Sequence, residues 1–209
     1  MMDGHYKGQR LTLIKNTFEA IGQYKAGNLS LRKLETFQEE ACPCAGSCQG
    51  LYTANTMACL SEALGMSLPG CGTALCVSAK KKRLAFESGV QIVTMVMNHM
   101  TPEKIMTKEA FENAIYVDIA LGGSTNTTLH LPAIAHEAGI TINYSDFDRI
   151  SKKSPYIASI QPSGDYTLQD LEYAGGIGAV LHVLRPLLHN IPTISGARIH
   201  EIADKCEVL

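Results

Sequence analysis

The chain reads as a mainly helical protein, and three observations carry that reading. Apolar residues recur at helical spacing through most of its length, capping residues and glycines punctuate those stretches, and strand-like alternation is nearly absent. The pattern leaves two architectures open. One is a helical domain; the other is the helical share of an α/β protein whose strands lie elsewhere.

The elements follow in order. A periodic stretch from about Leu13 to Lys25 ends at Gly27, a residue suited to a left-handed C-cap. Ser30 caps a second helix to about Glu40, which stops before the Cys42-Pro43 step. Tyr52 to Leu64 forms a third, closed by Gly65, and a loop with Pro69, Gly70 and Gly72 follows. Ser78 opens a long helix with Leu84, Ala85, Ile92, Val93, Val96 and Met97 available for its buried stripe. Thr101-Pro102 starts the next helix with a cap and a first-turn proline. A helix from Lys108 to Leu121 breaks at Gly122-Gly123, restarts from Ser124 to Ala138, and ends at Gly139. Ser145 with Asp148, and Thr167 with Asp170, have the form of capping boxes. Strand signals are weak, and the best short one is Gly139-Ile140-Thr141-Ile142-Asn143.

At 209 residues the chain is long enough for one substantial domain or two small ones. A net charge of −2 gives no reason to expect nucleic acid or an anionic membrane surface as partner. No apolar run approaches the ~20 residues that span a bilayer, and the polar start Met1 to Lys7 lacks a secretory signal's apolar stretch. The expected location is a reducing cytoplasm. The cysteine count, seven, is odd, which favours free thiols and metal ligands over a disulfide framework.

Three of those cysteines, Cys42, Cys44 and Cys48, fall within seven positions in a loop opened by Pro43 and loosened by Gly46 and Gly50. The loop lies just ahead of a helix, where unpaired N–H groups and the helix dipole favour a thiolate. A structural zinc site shows two ligand pairs, and no second Cys or His pair is present. Iron–sulfur ligation accepts cysteines from distant segments and suits such a loop. Cys59, Cys71, Cys76 and Cys206 read as small core residues.

A second segment, Gly122-Gly123-Ser124-Thr125-Asn126-Thr127, sets backbone donors and hydroxyls at a helix start. That array can hold a carboxylate or phosphate, and it can equally be an ordinary N-cap built on Ser124 or Asn126. His130 and His136 are possible ligands, although partly buried hydrogen-bonded histidines are commoner. Lys80-Lys81-Lys82-Arg83 reads as a solvated first turn, despite cations there opposing the helix dipole.

Together the two segments resemble the dihydroxy-acid dehydratase family. The likeness runs through Cys42-Pro43 and Gly46-Ser47-Cys48 to Met57, Glu62 to Gly70, Ile105 to Ala114, and Gly122 to Gly139. It extends from about Tyr6 to Leu188, with Leu51 where the family usually has Met. Related sugar-acid dehydratases share the Gly-Gly-Ser-Thr-Asn segment, but their cysteine loop differs.

The resemblance implies a fold, a reaction and its cofactors. The fold is a three-layer α/β/α N-terminal domain, of which this chain is a mainly helical part with few short strands. The whole chain, 1–209, would belong to that cluster-binding domain, in the middle of a protein more than twice as long. Residues 190–209 would approach a junction to a second domain. The implied reaction removes water from a 2,3-dihydroxy-3-methyl acid to give a 2-keto acid of valine and isoleucine synthesis. It uses an iron–sulfur cluster, 2Fe-2S or 4Fe-4S, and Mg2+, in a homodimer.

Residue by residue, Cys48 matches the family's cluster ligand, with Cys42 and Cys44 standing behind it. Ser124, Thr125 and Asn126 match a segment near the substrate. The family's Cys-Asp-Lys motif, which carries a second cluster ligand and a magnesium ligand, is missing, and Asp204-Lys205-Cys206 does not replace it. No catalytic residue is therefore assigned within these 209, and the chain alone is expected to be inactive. Two other readings stand beside this one: part of a sugar-acid dehydratase, and a non-enzymatic helical module binding a metal or partner through Cys42–Cys48.

Overall fold

The computed structural model describes residues 1–206; residues 207–209, the end of the segment expected to approach a domain junction, lie outside the described residues. The chain starts with an antiparallel hairpin, β1 (Gly4–Tyr6) and β2 (Gln9–Leu11), which pairs His5 with Arg10. Lys7 and Gly8 turn it with φ of 49° and 80°, the doubly left-handed backbone that two-residue hairpins favour. A π turn, Ile14–Phe18, leads into α1 (Glu19–Lys25) and then α2 (Leu31–Glu40). These helices fold back on the hairpin around Leu11, Ala20, Leu34, Phe37 and Ala41. Ser30 accepts from Lys33 N, so the expected cap of α2 forms.

The larger body contains α3 (Thr53–Ala63), α4 (Ala79–Met97), α5 (Pro102–Ile105), α6 (Lys108–Leu121) and α7 (Thr127–Glu137). It continues through α8 (Tyr144–Ser151), α9 (Leu168–Tyr173), α10 (Gly176–Leu184), a 3-10 turn Arg185–Leu187 and α11 (Ile199–Asp204). Its centre is α6. Phe111, Ala114, Ile115, Val117 and Ala120 are fully buried, with Tyr116 and Leu121 nearly so. A helix apolar on all sides must be surrounded, and α3, α7, α8 and α10 pack around this one.

The protein is thus mainly helical with a small sheet, compatible with a mixed α/β class. No described helix is long and apolar enough to cross a membrane. The two short strands are not where the sequence placed one. Residues 139–143 form no strand: Gly139 takes φ 72° and Ile140 N donates to Ala135 O at 2.8 Å, closing α7, so the segment's backbone finishes a helix. The capping box at α8 is Asn143 with Asp146, not Ser145 with Asp148, because the helix begins ahead of Ser145. Thr167 and Asp170 form theirs as read.

The long helix departs most from expectation. Ser78 caps α4 through Lys81 N, but the helix buries only Leu84 and Met95. Ala85 lies exposed, and Ile92, Val93, Val96 and Met97 are 55 to 76% exposed. The helix turns a narrow row of Leu84, Gln91 and Met95 to the body, with the Gln91 amide donating to Ile194 O. Its wider apolar face points outward. The basic first turn is not simply solvated either: Lys80 pairs with Glu172 at 2.6 Å, and Lys81 donates to Cys71 O. Of the cysteines read as core, Cys59 is buried, Cys71 and Cys206 are half-buried, and Cys76 is exposed.

Truncating α6 at its centre should be costly. Phe111→Ala is expected to lower unfolding free energy by about 3 to 5 kcal/mol. Phe86→Ala on the open face of α4 should change it by less than about 0.5 kcal/mol in dilute solution. Urea denaturation followed by circular dichroism checks both.

Candidate functional site

The cysteine loop is held by the first turn of the helix that follows it. Asn55 sits at the third position of α3 and is 8% exposed. Its amide nitrogen donates to Cys48 O at 2.9 Å and Gly50 O at 2.7 Å, while its oxygen accepts from the Ser47 hydroxyl. A side chain at this helical position reaches back over the residues ahead of the helix, so one amide fixes three points of the loop. Gln49, 1% exposed, anchors the other side. It accepts from Leu13 N and donates to Met2 O and Ala41 O, tying the loop to the hairpin layer.

Within this clamp Cys48 is buried at 9% exposure, and its sulfur accepts from Gly50 N at 3.4 Å. Cys42 and Cys44 are half-buried. Burial pushes the Cys42 thiol up, with added repulsion from Cys48 and Cys44 nearby. The Tyr52 hydroxyl is likewise raised by burial and then by charge on Cys48. The Cys44 sulfur accepts from Met2 N. Gly50 has no room for a side chain, since a Cβ would lie 2.7 Å from Gln161 O.

The same helix end takes hold of the second loop. Thr53 and Ser124 hydroxyls lie 2.9 Å apart, the Asn126 amide donates to Thr53 Oγ1 at 2.7 Å, and Ser124 N donates to Thr56 Oγ1 at 3.2 Å. Two segments some seventy residues apart thus meet on the first turn of α3. The simple N-cap reading of the second loop is corrected by this arrangement. Asn126 occupies the cap position of α7 but makes no side-chain cap bond, because its amide is spent on Thr53. Ser124 does retain a local role, accepting from Asn126 N at 3.3 Å. Thr125 and Asn126 are exposed and Ser124 is half-buried, and Ser124 and Thr125 border a shallow hollow of about 300 Å³.

Asp118 lies under that hollow, and sequence reasoning missed its part. Gly122, φ 66°, ends α6 and turns the chain so that Gly123 crosses the Asp118 carboxyl; a Cβ on Gly123 would fall 2.0 Å from Oδ1. Asp118 is 6% exposed, and Oδ1 has no hydrogen-bond partner among the described residues. Burial raises its pKa to about 6, against a smaller opposing effect from the Thr127 hydroxyl. Thr127 Oγ1 lies 2.6 Å from Oδ2 and 2.8 Å from Ser124 O. The Thr127 hydroxyl donates to the Asp118 carboxylate, with Ser124 O as its alternative acceptor.

His130 is half-buried and His136 exposed. Among the described residues no three His, Cys, Asp or Glu side chains gather to hold a metal ion. Cys48 offers a single thiol as a possible metal donor. The reading of Cys42–Cys48 as a self-contained metal module finds no such geometry. Thr53, Asn55 and Thr56 were overlooked as site residues because a single sequence shows a helix start there, not which way its polar groups reach.

Asp118 fixes a pH dependence. Its folded pKa is raised above the ordinary aspartate value of 3.8 to about 6. Its stabilising contribution is thus greatest below pH 3.8 and is lost as pH rises through 6. Asp118→Asn, whose amide oxygen can still accept from Thr127 without the charge, is expected to be more stable than the parent at pH 7, by up to ~3 kcal/mol. The advantage should vanish near pH 4. Thermal unfolding of both proteins across pH 4 to 8 measures this.

The family described as "Dihydroxy-acid/6-phosphogluconate dehydratase N-terminal" matches residues 1–202, a longer span than the Tyr6 to Leu188 of the sequence likeness. The chain is 53% identical over 209 residues to the protein named dihydroxy-acid dehydratase of Endomicrobium trichonymphae, covering 100% of this chain and 38% of that protein. It is 55% identical over 208 residues to the one so named from Thermodesulfovibrio yellowstonii, with the same coverage. Against that of Geobacter sulfurreducens it is 51% identical over 201 residues, 96% of this chain and 36% of the relative. The chain spans little more than a third of these relatives, and over that length it belongs to the dihydroxy-acid/6-phosphogluconate dehydratase family.

Proposed function

We propose that this chain is part of the N-terminal, cluster-binding domain of a hydro-lyase that dehydrates a 2,3-dihydroxy-3-methyl acid to a 2-keto acid. The pathway would be valine and isoleucine synthesis. The observation that carries this is the joining of the Cys48 loop to the Ser124–Asn126 loop through one helix end. The relatives' shared name supports the branched-chain substrate over a sugar acid.

In this reading Cys48 supplies one thiolate to an iron–sulfur cluster, 2Fe-2S or 4Fe-4S, while Cys42 and Cys44 stay free. The remaining ligands, and those for Mg2+, come from polypeptide beyond these 209 residues. Such a cluster, when bound, supplies a Lewis acid for the departing 3-hydroxyl. The chain's own residues do the rest of what is assigned here. Asn55 and Gln49 hold the Cys48 loop rigid, and Gly50 N donates to its sulfur. Ser124, Thr125 and Asn126 lie near the substrate, and Thr53 holds Ser124 and Asn126 in place. Net loss of C2–H and the C3 hydroxyl gives an enol, which becomes the ketone. The enzyme works as a homodimer in a reducing cytoplasm, and residues 190–209 near the junction to the second domain.

The test uses the longer protein that contains this chain, reconstituted anaerobically with iron and sulfide. It should dehydrate dihydroxyisovalerate and leave gluconate essentially unchanged. Cys48→Ser should lose the cluster's visible absorbance and at least 100-fold in kcat, while Cys44→Ser keeps both. Faster turnover of gluconate, or an intact cluster in Cys48→Ser, would contradict the reading.

A further inference from the structure

The cysteines outside the loop of Cys48 differ sharply in their surroundings. Burial pushes the Cys59 thiol far up, with the charge of Glu62 adding to it, and burial raises Cys206 as well. Cys76 is exposed. Cys71 is set apart by a second side chain: Lys81 Nζ donates to its sulfur at 3.2 Å and to its carbonyl oxygen at 2.9 Å. Among the described residues no other cysteine sulfur accepts from a side-chain ammonium. Both partners are half-buried, and Lys81 lines a cavity of about 180 Å³ together with Gly72, Thr73 and Cys76.

The contact joins two rigid pieces. Glu62, 3% exposed, accepts from Gly70 N at 2.7 Å and Gly72 N at 2.8 Å, so one buried carboxylate grips the backbone on both sides of Cys71. Lys81 stands in the first turn of α4, where its own N–H donates to the capping Ser78 hydroxyl. Its neighbour Lys80 pairs with Glu172, which also accepts from Thr73 at 2.6 Å. Sulfur and nitrogen therefore stay within reach of each other, the condition under which a two-centre reaction becomes effectively unimolecular.

We propose that Cys71 and Lys81 are an oxidation site, at which a hydroperoxide closes a reversible sulfur–nitrogen bridge between the 68–72 turn and α4. Lys81 is placed to pair with the Cys71 thiolate, the form that peroxide attacks. The thiolate breaks the O–O bond of hydrogen peroxide, keeping one oxygen as sulfenic acid and releasing hydroxide. Sulfur loses two electrons and the peroxide gains them. The Lys81 ammonium gives one proton to that hydroxide, and its nitrogen then displaces the sulfenic oxygen, which leaves with a second proton as water. Thiolate, ammonium and peroxide thus become a sulfenamide and two waters, balanced in atoms and charge. Sulfenic acids also condense with a backbone nitrogen, but Gly72 N is committed to Glu62, which leaves Lys81 as the available amine. Added thiol reverses the bridge by reducing sulfur and releasing the amine. The cavity beside the bridge is also bordered by Ser47 and Asn55, so oxidation stiffens a wall next to the Cys48 loop.

This inference rests on the Cys71–Lys81 contact and is independent of the substrate reading. Its test uses the longer protein that contains this chain, in a Cys76→Ser background, treated with hydrogen peroxide and then denatured and alkylated. Cleavage after glutamate releases residues 63–87, in which Cys71 is then the one remaining cysteine. That peptide is expected to be lighter by two hydrogens, about 2 Da, and to return to its starting mass with dithiothreitol before alkylation. Lys81→Arg keeps a cation beside sulfur but is a poor nucleophile. It should cut the bridge yield by about tenfold or more and leave a sulfenic acid that dimedone traps. Unchanged circular dichroism in Lys81→Arg separates lost bridging from lost folding. A peptide that peroxide leaves unchanged, or that stops at sulfenic or sulfinic acid with Lys81 present, overturns the inference. A bridge that persists in Lys81→Arg, and so uses a backbone nitrogen, overturns it equally.

Discussion

Everything proposed for this site depends on the first turn of α3. That turn has no conventional side-chain cap, and its polar side chains bond outward, to two loops. The Asn55 amide closes on the carbonyls of Cys48 and Gly50, and Thr53 and Thr56 receive groups from Ser124 and Asn126. Buried amides with both ends satisfied are rigid, because breaking one bond strands its partner away from water. The loops are consequently positioned by one rigid element, not by each other.

That element is in turn held by α6. Leu60 and Ala63 on α3 and Phe111, Ala114 and Ile115 on α6 share one fully buried core. The carboxyl end of α6 carries Asp118 beneath the Ser124 loop, in a space only glycine at position 123 permits. A buried acid beside a site costs stability when ionised, and such strain is tolerated where a fold serves a function. The face of α4, by contrast, serves no site in the described residues.

Much of the helix architecture was legible because its signals are local. Ser30, Ser78 and the Thr167–Asp170 pair cap helices as read, since a cap requires only a hydroxyl or carboxylate within three residues. The hairpin was missed because three-residue strands leave no alternation to detect. The strand at 139–143 was misplaced because Ile140 and Ile142 look alternating, while Gly139 was already committed to closing α7. Amphipathicity marked α4 as a helix but did not show that only the row of Leu84, Gln91 and Met95 meets the body. Cys48 and Ser124–Asn126 stood out as candidates from composition and likeness. Their union through Thr53, Asn55 and Thr56 did not, because it depends on contacts between residues about seventy positions apart.

The central claim, that one helix end physically couples the two loops, is tested most directly by a double-mutant cycle between Thr53→Val and Ser124→Ala. Urea unfolding of the parent, both single variants and the double variant gives the coupling energy. The account predicts about 0.5 to 1.5 kcal/mol, the range for a partly buried hydrogen bond between contacting residues. Additivity within about 0.3 kcal/mol, as for distant independent sites, would contradict it.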